Sequence, residues 1–197
     1  FVLTVNVYRL RDDLELPTFG TTLANCFDLS FQPTNTEGII KGYNKYNDPV
    51  TRHIHNFSGG LRHGNEDEFE IEPGDRLLVP TGLIFKIELL HTIETYADIS
   101  RTEMPLQNYS IRLHPRSGLS LKRGLVLANS EGIVDVDYQE EVFVLLTNIS
   151  DVSQRIKRGD RIAQAEIVCN EPTKFIVATK RPEKHSERAG GFGSTGV

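Results

Sequence analysis

Short apolar runs broken by turn residues set the texture of this chain. Val, Ile, Leu and Phe gather in residues 1–8, 76–79, 83–87, 110–113, 125–127, 141–146, 161–168 and 175–178, with Gly or Pro between many of them. Runs of this length, bounded by turn formers, predict strands. Pro73-Gly74-Asp75 and Arg158-Gly159-Asp160 read as tight turns that each enter a strand. Ile71-Glu72-Pro73-Gly74-Asp75-Arg76 echoes Ile156-Lys157-Arg158-Gly159-Asp160-Arg161. Repeated use of a common turn accounts for the echo better than a pair of equivalent hairpins.

Three stretches depart from this texture. Ser117-Gly118-Leu119-Ser120-Leu121-Lys122-Arg123-Gly124 begins with a serine, ends with cations and has a glycine where a left-handed cap falls. It predicts a helix of about two turns, short enough to need packing. Residues 93–104 are a second helix candidate. Residues 34–68 hold Gly38, Gly42, Gly59, Gly60 and Gly64 with little periodicity, which predicts a long excursion from the β core. The tail from residue 181 is polar and glycine-rich, with no core-forming pattern.

At 197 residues the chain suits one domain with a real core. Acidic residues outnumber basic ones, 27 to 22, for a formal charge of -5. This argues against a protein that grips nucleic acid, which needs a basic footprint. It leaves room for a small phosphorylated ligand. Cys26 and Cys169 form no spaced pattern and read as free, buried thiols of a reducing compartment. No apolar stretch is long enough to span a membrane and no signal peptide is visible, so the expected location is cytoplasmic. Phe1 is not Met, which implies that a start residue has been removed or left out.

Four segments carry candidate chemistry. Pro115-Arg116-Ser117-Gly118 puts a forked cation and a hydroxyl where a helix begins, and helix N-termini offer unpaired N–H groups to anions. Alone, it reads equally as a plain N-cap beside a surface arginine. In Asn129-Ser130-Glu131-Gly132-Ile133-Val134-Asp135-Val136-Asp137-Tyr138, Asp135 and Asp137 share a face if the strand is extended throughout. One of them suits a general base; alternating Asp and Val equally suits a solvent-facing strand. In Gly159-Asp160-Arg161-Ile162-Ala163-Gln164 the polar Gln164 interrupts an apolar stretch and is placed to point into a site. In Arg188-Ala189-Gly190-Gly191-Phe192-Gly193-Ser194-Thr195-Gly196 the glycines allow close backbone approach to an anion, and Ser194 and Thr195 can donate to phosphate. Phe192 has the shape to stack on a base. The lysine of a Walker-type loop is missing. His53 and His55, with His63 nearby, lack a carboxylate or cysteine to complete a metal set and read as surface histidines. His114 reads as buried within a strand.

These segments, in this order and together with Pro17-Thr18-Phe19-Gly20 and Ala24-Asn25-Cys26-Phe27-Asp28-Leu29, resemble the five motifs of the trimeric dUTP pyrophosphatase (dUTPase) family. The resemblance spans residues 17–196. It implies an all-β, distorted jelly-roll-like β-barrel over residues 1–180, with insertions at about 34–68 and 88–108 and one or two short helices. Residues 181–197 would be an arm closing the active site. It implies a homotrimer whose sites are shared between subunits, and hydrolysis of dUTP to dUMP and pyrophosphate, clearing dUTP and supplying dUMP. Asp135 matches the water-activating carboxylate. Arg116, Ser117, Gly118 and Gln164 match phosphate-holding residues. Asn129 and Gly132 match the hairpin that reads uracil, and Tyr138 the ring under the deoxyribose. Arg188, Phe192, Gly193, Ser194 and Thr195 match the closing tail. Mg2+ is implied, held mainly by the triphosphate, with Asp28 reaching it through water.

The chain departs from the family pattern in four places. Glu140 stands where glycine is usual, Arg188 is one residue closer to the phenylalanine, Phe27 replaces a tyrosine, and residues 29–115 are longer than usual. Two rival readings remain at this level. A dCTP deaminase shares the fold but needs a glutamate at about Leu145, where a leucine cannot act. A regulatory protein on the same scaffold would use residues 34–68 as a partner surface or lid.

Overall fold

The computed structural model describes residues 2–34, 37–57, 67–90, 108–181 and 183. In chain order the elements are β1 (Val2–Arg9), β2 (Thr18–Phe19), β3 (Phe27–Ser30), β4 (Ile39–Tyr43), β5 (Pro49–His53), β6 (Glu68–Ile71) and β7 (Arg76–Pro80). They continue with β8 (Leu83–Leu90), β9 (Tyr109–His114), α1 (Ser117–Arg123), β10 (Leu125–Leu127), β11 (Gly132–Asp135), β12 (Phe143–Asn148), β13 (Gln154–Lys157) and β14 (Arg161–Cys169). The fold is all-β and jelly-roll-like with one short helix, as the sequence predicts. One five-stranded sheet runs β10-β12-β7-β4-β5 and the other β11-β9-β14-β3-β2, with two-stranded ribbons β1-β8 and β13-β6. Among the described residues these sheets do not close into a barrel. No helix there is long and apolar enough to cross a membrane.

Period-2 burial builds the core. β12 alternates exposed and buried positions, so Val144, Leu146 and Asn148 turn inward. Val144 and Leu146 meet Leu77 and Val79 of β7, Ile111 and Leu113 of β9 and Ala163 and Ala165 of β14 in one buried cluster fed by both large sheets. Phe31 and Phe69 pack edge to face within it at 4.9 Å between ring centroids.

Several expectations change. Residues 34–68 are not simply an excursion. β4 and β5 form a hairpin that pairs with β7 and extends a sheet, and Ile40 and Ile54 are buried in the core. Residues 175–178 are not a strand: no described strand pairs with them, and Phe175, Ile176 and Val177 are almost fully exposed. Cys26 is half-buried and Cys169 exposed, so neither is a core thiol, although both are free. Residues 93–104 lie outside the described residues.

The echo between residues 71–76 and 156–161 proves to be structural. Gly74 and Gly159 sit at φ 81° and 82°, a conformation that glycine adopts without Cβ strain. In each turn the aspartate N–H donates three residues back, Asp75 to Glu72 at 3.0 Å and Asp160 to Lys157 at 2.9 Å. Each aspartate side chain also accepts from that same residue's N–H, at 3.0 Å in both cases. The strands leading into the two turns, β6 and β13, pair with each other. The same turn is used twice, and neither copy closes a hairpin, because β6 and β13 pair with each other and not with the strands that follow them.

Candidate active site

Strand β9 organises the candidate residues, because the segments at its two ends differ in chemistry. Beyond its C-terminal end, Pro115 leads into Arg116, which occupies the N-cap position of α1 at φ -93°, ψ 126°. The expected serine cap is absent: Ser117 is already helical and no side chain caps the helix. The helix has no acidic residue in its first turn, so nothing there competes for an anion. Gly124 closes the other end in the left-handed conformation, as predicted. Ser117 and Gly118 are exposed, and a Cβ added at Gly118 would meet nothing within 4 Å.

Arg116 is not a loose surface cation. Its Nε donates to Asp28 Oδ1 at 2.8 Å, and Arg161 donates to Asp28 Oδ2 at 2.9 Å. Asp28, on β3, thus holds two guanidinium groups, one on each carboxylate oxygen. Its side chain is only 13% exposed, while that of Arg161 is 55% exposed. Gln164 lies beside this cluster and donates from Nε2 to the Pro115 carbonyl at 3.0 Å. It steadies the backbone just before Arg116 rather than hanging free. His114 is half-buried at the strand end and bonds Glu166 through Nε2 at 3.1 Å. Arg161 has no assigned role from sequence, although it lies within the quoted Gly159–Gln164 motif. The missing signal is spatial: β3 and β14 are neighbours, and pairing puts Gln164 opposite Asp28.

β11 runs alongside β9, so that Gly132 faces Leu113 near the C-terminal end and Asp135 faces Ser110 near the other end. Asp135 is exposed, and its carboxylate has no hydrogen bond or ion pair among the described residues. The expected shared face of Asp135 and Asp137 does not form. The strand stops at Asp135, and a turn closed by Tyr138 N–H to the Asp135 carbonyl at 3.1 Å carries Asp137 away. Next to this turn is a cavity of about 390 Å³ lined by Asn129, Gly132, Tyr138, Leu78, Phe143 and Leu145, among others. Gly132 packs closely, since an added Cβ would approach the Leu113 side chain to 3.0 Å. The hairpin before it is tight, with Ser130 at φ 62°.

Two groups of predicted residues therefore form, Asp28-Arg116-Ser117-Gly118-Gln164 and Asn129-Gly132-Asp135-Tyr138. Within one chain Gly132 comes alongside Leu113, next to His114, but Asp135 lies at the far end of β9 from Arg116. Ser110 and His114, four residues apart on β9, are separated by about 13 Å along the strand. Arg188, Phe192, Gly193, Ser194 and Thr195 lie outside the described residues, as does His63. His53 and His55 are exposed. No group of three or more His, Cys, Asp or Glu suited to a metal occurs among the described residues.

An all-β scaffold here combines a helix start free of acidic side chains with a cavity lined by Asn129, Gly132 and Tyr138, features suited to a phosphorylated small molecule. The comparisons narrow this. The dUTPase family model matches residues 95–196. The deoxyuridine 5'-triphosphate nucleotidohydrolase of Nautilia profundicola is 33% identical over 168 residues, covering 85% of this chain and 98% of that relative. The same-named protein of Rhizobium leguminosarum bv. trifolii is 41% identical over 128 residues, covering 64% of this chain and 69% of the relative. Among solved structures, the Staphylococcus bacteriophage 80alpha dUTPase with dUPNHPP aligns with a TM-score of 0.62 at 20% identity, covering 98% of this chain and 99% of that one. The Streptococcus mutans dUTPase gives 0.51 at 20% identity, covering 86% and 98%. At these identities the structural likeness is one of fold. The chain belongs to the dUTPase family.

Proposed function

We propose that this chain hydrolyses dUTP to dUMP and pyrophosphate. The observation that carries the reading is the 390 Å³ cavity, where the residues matched to uracil and deoxyribose recognition, Asn129, Gly132 and Tyr138, come together with Val134, one residue before Asp135 in the chain. In the reaction Asp135 takes a proton from water, the water oxygen attacks the α-phosphorus, and the bond to the bridging oxygen breaks to release pyrophosphate. An exposed carboxylate without an ion-pair partner is available for that proton. Arg116 and the bare first turn of α1, with Ser117 and Gly118, receive phosphate oxygens, and Gln164 keeps Arg116's backbone in place. Tyr138 stands under the deoxyribose, where a 2′-hydroxyl has no room. The tail residues Arg188, Phe192, Gly193, Ser194 and Thr195 close over the ligand.

The separation of Arg116 from Asp135 supports a site assembled between subunits of a homotrimer, each chain giving its phosphate end to one site and its carboxylate end to another. The donor set fits a divalent ion, Mg2+, that arrives on the triphosphate. No protein cage exists among the described residues, and Asp28, with both oxygens already accepting from arginine, reaches such an ion only through water. Bound there, Mg2+ neutralises charge on the phosphates.

A deaminase reading is disfavoured because Leu145 lines the cavity where a glutamate is needed. The test is pyrophosphate release from dUTP, dTTP, dCTP and UTP side by side. We expect dUTP to be strongly preferred. Ammonia release from dCTP, or equal turnover of all four, overturns the reading.

A further inference from the structure

Glu141 stands three residues after Tyr138, next to the unusual Glu140, and has no role in the reading above. Its carboxylate is turned inward. Oε1 accepts the Gly82 N–H at 2.7 Å, and the Thr34 hydroxyl lies 3.0 and 3.1 Å from its two oxygens. Gly82 is held at φ 71° with Leu14 and Thr34 packed against its Cα, so this N–H has a fixed direction. The neighbouring residue is pinned to the same corner. Val142 N–H donates to the Leu83 carbonyl at 2.9 Å, and the buried Thr81 hydroxyl donates to the Val142 carbonyl at 2.6 Å. The backbone at 141–142 is therefore clamped to the corner between β7 and β8 from both sides. The Glu141 carbonyl, facing the other way, accepts the Tyr138 hydroxyl at 2.9 Å.

We propose that Glu141 is a positioning residue for sugar selection: its clamped carboxylate fixes its own carbonyl, and that carbonyl fixes the Tyr138 ring against the sugar. The inference rests on the reading of Tyr138 as the ring that excludes a 2′-hydroxyl. A single chain of contacts runs from Thr34, at the root of the insertion, through Glu141 to the rim of the nucleoside cavity. Burial raises the Glu141 carboxyl above the ordinary range, and the Gly82 and Thr34 bonds offset this only in part. A carboxylate kept in such a place is compensated by the contacts it organises. Loosening the clamp frees a half-exposed ring beside a polar slot, and the loss falls on discrimination.

The experiment compares kcat/KM for dUTP and UTP in the parent protein and in variants at Glu141, Tyr138 and Thr34. Glu141→Ala and Tyr138→Phe should each lower the dUTP-to-UTP preference about tenfold, with the loss in dUTP use falling on KM more than on kcat. Glu141→Gln keeps an acceptor for the Gly82 N–H and should hold the preference within about threefold of the parent. The double variant Glu141→Ala/Tyr138→Phe should lose no more than either single change, because both break one chain. An unchanged preference in Glu141→Ala, an equal loss for both nucleotides, or additive losses in the double variant overturns the inference. If Glu141→Ala does not fold, Thr34→Val removes one arm of the clamp and should lower the preference about threefold; no change there overturns it equally. Tyr138→Ala separates the two readings. If removing the ring leaves the preference intact, the role of Tyr138 itself fails, whatever Glu141 does.

Discussion

The two ends of β9 are built on opposite principles. Around His114 and Arg116, opposite charges are tied to one another. Arg116 and Arg161 share Asp28, and His114 meets Glu166. A short step away, Arg158 binds Asp13, which also pairs with Arg11. Around Asp135 and Tyr138 the surface is open. Ile133 is 56% exposed and Tyr138 and Phe143 are each 40% exposed, and the Asp135 carboxylate has no charged partner among the described residues. One end is organised before any ligand arrives, so it gains affinity by avoiding reorganisation. The other end holds Asp135, proposed above as the base, exposed and without an ion-pair partner among the described residues. Pre-organisation suits the part of a substrate that carries fixed charge, and openness suits the place where water must enter.

The largest test of this contrast is Asp135→Asn. It should lower turnover by about 10³-fold while a non-hydrolysable dUTP analogue still binds, because a general base is worth about 10²–10⁴-fold. Retained turnover assigns the base elsewhere. Arg116→Ala should act differently, costing about 10²-fold in kcat/KM through lost phosphate contacts. Mixing these two defective proteins under subunit exchange sharpens the comparison. If the two ends serve different subunits' sites, an equal mixture should recover about a quarter of the parent activity, since random trimers rebuild that fraction of sites. No recovery in verified mixed trimers would place both ends in one chain's site. Gly132→Ala comes next in size. Its new Cβ meets Leu113 at 3.0 Å, and we expect about a tenfold rise in KM for dUTP together with a drop of a few degrees in melting temperature.

The smallest effect concerns pH. Arg158, with Arg11, lowers the Asp13 carboxyl from 3.8 to about 2. A folded-state value below the unfolded one stabilises the fold above pH 3.8, and that contribution is lost as pH falls from there towards 2. Asp13→Asn should flatten the acid limb of a melting-temperature profile over this window. An unchanged limb would show that the pair is too exposed to matter, which its 36% exposed carboxylate keeps open as an outcome.

Much of this architecture was legible in the residues. Leu125–Leu127 is a strand with the bounds the apolar run predicts, and Gly124 caps α1 as its position implies. β4 and β5 were missed because glycines and polar residues mask their alternation, although Ile40 and Val50 flank a turn in which Asn44 accepts from the Tyr46 and Asp48 N–H groups. The run at 175–178 misled for the opposite reason: apolar composition makes a strand only where a partner strand exists. Candidate site residues could be picked out by type and order, but their grouping in space could not. Nothing local in the sequence says that Asp28 carries both Arg116 and Arg161, or that a turn at Val136 parts Asp137 from Asp135. The first depends on residues 88 and 133 positions away from Asp28; the second is a local turn, closed by the Tyr138 N–H on the Asp135 carbonyl, that an alternating Asp/Val pattern conceals.

The β6–β13 ribbon has a consequence for how the chain is made. Glu68 pairs with Lys157 and Ile71 with Gln154, separations of 89 and 83 residues. At ribosomal rates of about 5–20 residues per second, Phe69 and Ile71 emerge roughly 4–18 seconds before the strand that covers them. Until then the first equivalent turn exists without its counterpart, and its apolar strand is open to other nascent chains. Slowing synthesis between residues 71 and 154 should therefore lower the soluble yield, and a chaperone that holds exposed strands should restore it.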